Sequence, residues 1–166
     1  MAMGKYAKDT KVPVYCSKSE LEKTLIRYGA TGFFSAWQDD PPVHQIGFKI
    51  MDGENERLVK IQLPLPAKDD PDFTITQYGH EREPHIAHQR WEKACRQKWR
   101  ALNLVVKAKL EAIDSGISTV EREFLADVML PDGTTVGDWA RPQLEAAYNS
   151  GKMPALLPGM SKKRKR

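Results

Sequence analysis

Hydrophobic positions along the chain change their period from segment to segment, and each period predicts an element. Leu21, Leu25 and Tyr28 share one side of a helical pattern that follows Ser17-Lys18-Ser19-Glu20. That tetrapeptide reads as a capping box, in which a Ser oxygen takes an orphan amide and Glu three residues later reaches back. Gly29 is the predicted stop. From Gly32 the period becomes two. GFFSAWQ, VHQIGFKIM and RLVKIQLPL are separated by Asp-Asp-Pro-Pro and Asp-Gly-Glu-Asn-Glu, which predicts a three-stranded antiparallel meander. Ile46, Phe48 and Ile50, and then Val59, Ile61 and Leu63, fall on one face; Gln45, Lys49, Lys60 and Gln62 fall on the other. Pro64 and Pro66 end the third strand because neither donates to a ladder.

After a polar, turn-rich excursion over 67–84, Pro84 suits the first turn of a helix that persists to Asp114-Ser115-Gly116. At 1.5 Å per residue it would be about 45 Å long. Trp91, Cys95, Trp99, Leu102, Val106, Leu110 and Ile113 fall in one apolar sector about 100° wide. This assigns both tryptophans to the core, with Lys98 and Lys109 snorkelling at its margins. Ser118-Thr119-Val120-Glu121 reads as a second capping box before a short helix. A last helix is predicted from Gly137 to Asn149, with Trp139, Leu144 and Tyr148 facing inward, followed by MPALLPG as an apolar strap. The expected fold is α+β: an N-terminal helix, a three-stranded antiparallel sheet, a long amphipathic helix packed on it, a C-terminal helical pair and a basic disordered tail. Residues 1–13 form a flexible arm, 14–160 a single domain and 161–166 the tail.

Charge sharpens this picture once it is divided along the chain. The net +4 conceals −2 over residues 1–83, +4 over 84–117, −3 over 118–160 and +5 in the last six. Two local patches carry the basic signal. On the long helix Lys93, Arg96, Arg100 and Lys107 cluster opposite the apolar sector with Asn103. Glu92 is the only acid between Arg90 and Lys109. Either this is an ordinary solvated face, or it is a rail about 20 Å long that tracks phosphates. Lys162, Lys163, Arg164, Lys165 and Arg166 form a second polycation for nonspecific electrostatic contact.

Candidate chemistry is sparse. His80, His85 and His88 lie close enough in sequence for a zinc site, yet their spacing matches no strong signature. Pro71-Asp72 lacks the strand with (D/E)-x-K that a metal-dependent nuclease needs. Cys95, in the apolar sector, reads as structural rather than nucleophilic. No Gly-rich phosphate loop, serine elbow or dinucleotide fingerprint appears, so no catalytic residue or cofactor is assigned. Cys16 and Cys95 read as reduced thiols. With no signal-like or membrane-length apolar run, a soluble, cytoplasmic protein is expected.

Several blocks resemble uncharacterised small proteins of tailed phages and prophages: VPVYCSKSELEKTLIRYGATGF, IGFKI with KIQLPLP, RQKWRALNLVVKAKLEAIDSGISTVEREFLA, and LPDGTTVGDW with MPALLPG. The likeness spans most of residues 12–159. It implies a virus-encoded protein in a bacterial cytoplasm, carries over no activity, and argues against nuclear import for the tail. The order helix, meander, helix is also similar to double-stranded-RNA-binding domains and to part of the core of strand-annealing recombination proteins. The long excursion, the very long helix and PHIAHQRWEK in place of a basic cluster depart from the RNA-binding module. The expected function is therefore a non-catalytic nucleic-acid-binding accessory protein of phage replication or recombination. The alternative is a protein-binding module, an inhibitor or adaptor of a host complex. The partner is nucleic acid or a host protein, with no membrane.

Overall fold

The computed structural model describes residues 6–152. Helix α1 (Val14–Arg27) leads into strands β1 (Gly32–Gln38), β2 (Val43–Asp52) and β3 (Asn55–Pro64), which pair antiparallel in the order β1-β2-β3. A single-turn helix α2 (Pro71–Thr74) interrupts the excursion before α3 (Pro84–Asp114). Helices α4 (Val120–Phe124) and α5 (Val136–Ser150) follow, with a 3₁₀ turn at Leu125–Asp127 between them. This is the α+β architecture that the periodicities predict. Among the described residues no helix is long and apolar enough to cross a membrane.

The sheet register explains the core. Ile46 faces Ile61 and Phe48 faces Val59 across β2 and β3, so their side chains form one apolar surface. Onto it α3 lays Trp99, Leu102, Val106 and Leu110, while α1 contributes Leu21 and Leu25 and α4 contributes Phe124. Phe124 meets Phe48 edge-on at 5.4 Å between ring centroids. Gly29 adopts φ +86° just beyond α1, a conformation that strains any residue with a Cβ, and there the chain turns towards β1.

Three details depart from expectation. The first concerns the capping box at Ser17–Glu20, which does not form. Helix α1 begins at Val14 directly after Pro13, and Ser17 is wholly buried in its interior. Contact with α3 extends the helix past the polar residues that would otherwise start it. The second is a shift of one residue in the next cap: Thr119, not Ser118, accepts from the Arg122 amide at the start of α4. The third concerns α5, whose Trp139, Leu144 and Tyr148 are exposed rather than inward, Tyr148 by 86%. The helix instead approaches the 3₁₀ turn through Gly137, where an added Cβ would lie 2.9 Å from the Ala126 carbonyl oxygen. Thr135 caps α5, accepting from the Asp138 amide at 3.1 Å and donating to its carboxylate at 2.8 Å. Residues 6–13 rest against α3: Gln97 donates to the Tyr6 carbonyl at 2.9 Å.

Candidate nucleic-acid interface

Helix α3 begins at its predicted proline and ends at its predicted aspartate, but its basic face is shared with other elements. Lys93 Nζ lies 2.7 Å from the Asp9 carboxylate, whose pKa it holds below the ordinary value through the hydrogen bond and its charge. Arg96 pairs with Glu92 one turn earlier at 3.5 Å. Arg100 donates to Glu20 of α1. Asn103 is buried against α1, donating to the Ser17 carbonyl at 2.9 Å. Lys107 is exposed further along. A phosphate meeting Lys93, Arg96 or Arg100 would share the cation with a carboxylate already paired to it. On the outer sheet face Lys49 pairs with Glu56 at 2.8 Å, and Lys60 donates to the Gly133 carbonyl at 2.7 Å. Lys162 to Arg166 lie outside the described residues, as does the MPALLPG strap.

The tertiary structure assembles a second feature that the helical wheel does not contain. At the end of the sheet where Trp37 pairs with His44 and His44 with Leu63, the strands, Val14 of α1 and three residues of α3 face a common space. It is a cleft of about 840 Å³. Its aromatic lining is Trp37, His44, Trp91 and Trp99, drawn from two strands and one helix. Trp37 sits on edge strand β1 and is 66% exposed. Trp91 is half-buried, anchored by its indole N–H to the Pro66 carbonyl at 2.8 Å. The His88 ring stacks on it with centroids 5.5 Å apart, and the Lys68 ammonium lies 4.7 Å from its ring centre. Trp99 is fully buried, with His44 edge-on at 5.2 Å and the Lys18 ammonium 5.1 Å from its ring.

Assigning both helix tryptophans to the core holds for Trp99, which is fully buried at the edge of the cleft, and only in part for Trp91, which is half-buried. An adjoining groove of about 460 Å³ shares Val14, Trp91 and Cys95 with the cleft and adds Tyr15, Lys18, Glu92 and Arg96. Tyr15 is 72% exposed. Cleft and groove thus each have aromatic rings and cations in their lining, with Trp91 common to both. Asp39, Asp40 and Asp69 share the cleft lining with Lys68, whereas Lys18 and Arg96 share the groove with Glu92. The sequence did hold one signal for this arrangement. Alternation along β1 puts Trp37 on the helix-facing side of the sheet, where a tryptophan at a strand end needs a cover.

Two titratable groups in the cleft have shifted pKa values. Burial first, and the Lys18 charge second, hold the His44 pKa below its ordinary value, which favours the neutral ring. Burial pushes the Cys95 thiol up to about 11, which suits a packing residue rather than a nucleophile. No group of three His, Cys, Asp or Glu side chains converges as a metal site among the described residues. His88 is turned to Trp91 and to Glu92, 3.3 Å away, rather than towards a set with His80 and His85. No family model, curated protein or solved structure matches this chain.

Proposed function

We propose that the protein is a non-catalytic nucleic-acid-binding protein that holds a single strand along the groove and cleft beside α3. One observation carries this reading: Trp37, two-thirds exposed, and Trp91 line a cleft with Lys68, and Lys18 of the adjoining groove lies over the Trp99 ring. Stacking platforms flanked by cations are what a strand without a complementary partner requires, because each base offers a ring face and each linkage a charge. Lys18 and Arg96 meet phosphates in this reading. Lys93, Arg100 and Lys107, with Lys162 to Arg166, add longer-range attraction. A role in phage replication or recombination rests on the sequence blocks alone.

The test is a titration of labelled single- and double-stranded oligonucleotides over a range of salt. Tighter binding of the single strand, falling steeply with salt and weakened at least tenfold by Trp37→Ala, supports the proposal. No binding of either form at low salt by the full chain sinks it.

A second reading, the protein-binding module, is favoured by a different observation. Trp139, Leu144 and Tyr148 expose large apolar surface on α5. A host complex that survives nuclease treatment and is lost in Trp139→Ala/Tyr148→Ala, while oligonucleotide binding is absent, would favour it.

A further inference from the structure

Trp99 and His44, two of the residues that line the cleft, each carry a buried polar atom left unpaired among the described residues. These are the Trp99 indole Nε1 and the His44 Nδ1. Buried polar atoms are nearly always paired, because burial strips their water without return. Here two orphans occur together, on rings in edge-to-face contact, in residues that line the same cleft. The indole N–H only donates, so its missing partner is an acceptor. A neutral imidazole nitrogen donates or accepts according to its tautomer.

Resting on the nucleic-acid reading, we propose that this cleft receives one unstacked nucleobase of the bound strand. The base stacks on Trp37 and Trp91 and turns its edge to the Trp99 N–H and the His44 ring. Every nucleobase presents an acceptor beside a second polar group on its pairing edge, and its planar faces match the aromatic walls. Lys18, whose long side chain reaches over Trp99, swings aside to admit the edge and meets the adjoining phosphate. The occupant is thus planar, apolar on its faces and hydrogen-bonding on its rim. An aliphatic chain would leave both orphans unpaired, and an inorganic anion would leave the rings uncovered.

The experiment compares two strands of equal length and equal phosphate number, oligothymidylate and the same backbone with every base replaced by an abasic spacer, in wild type, Trp37→Ala and Trp99→Phe. Trp37→Ala changes an exposed residue and keeps the test independent of core stability. Wild type is expected to prefer the base-bearing strand by roughly 5- to 100-fold. Trp37→Ala should lose most of that preference, and Trp99→Phe, which keeps a ring but no N–H, part of it, with abasic binding unchanged in both. Equal binding of the two strands by wild type overturns the base pocket while leaving a nucleic-acid-binding protein. Binding of neither removes the functional reading itself. Thymidine monophosphate bound as tightly as the oligomer overturns a strand as the source of the base.

Discussion

Asn103 in α3 donates from its side-chain amide to the carbonyl of Ser17 in α1, 2.9 Å away, and both residues are buried. This bond fixes α1 along the flank of α3 that also bears Arg96 and Arg100. Along that flank Arg100 meets Glu20 of α1, while Lys93 pairs with Asp9 and Arg96 with Glu92 of its own helix.

The same pair gives a contrast in stability. Asn103→Ala removes the donor of a buried hydrogen bond, while the Ser17 carbonyl keeps its helical partner within α1, so the loss is about 0.5–1.5 kcal/mol. Ser17→Ala removes a hydroxyl that has no partner among the described residues, so it should be neutral or slightly stabilising. Thermal unfolding of the two variants checks this; equal losses of Tm would contradict it.

A coupled pair sits on the outer sheet face. The Phe34 ring covers Gly47 so closely that an added Cβ would lie 1.9 Å from it. Gly47→Ala must displace the ring, an overpacking cost of about 1–3 kcal/mol. In a Phe34→Ala background the same change should cost far less. A double-mutant cycle in denaturant, showing coupling above about 0.5 kcal/mol, is the expected result.

Cys95 links pH to stability. Its folded pKa of about 11 lies above the ordinary thiol value of 9.0, so the folded state resists ionisation. The associated stability is intact below pH 9 and is lost as pH rises towards 11, by up to about 2 kcal/mol. Cys95→Ala should flatten that alkaline limb in urea melts. In the folded protein a thiol-reactive dye should label half-exposed Cys16 and spare buried Cys95.

The cations of α3 should contribute unequally to strand binding. Arg96 lines the groove, whereas Lys107 stands further along the helix. Arg96→Ala should lower the slope of log K against log salt by about 1, and Lys107→Ala by much less. Equal effects would return the role to the whole helix face.

How much of this was legible beforehand follows from the range of each interaction. Helix α3 shows both ends in its sequence, because Pro84 suits a first turn and Gly116, at φ +74°, follows the last. The strands and their apolar face were equally readable, since alternation of period two is a property of each strand alone. The helical wheel also located Lys93, Arg96, Arg100 and Lys107. It could not show Asp9 and Glu20 arriving from elsewhere to pair with Lys93 and Arg100, or Ser17 burying Asn103. Nor could it bring Trp37 of β1 to the same cleft as Trp91 of α3. Local periodicity records which side of an element is buried. Which charges are neutralised and which rings meet is fixed by how the elements pack, through contacts between residues far apart in the chain.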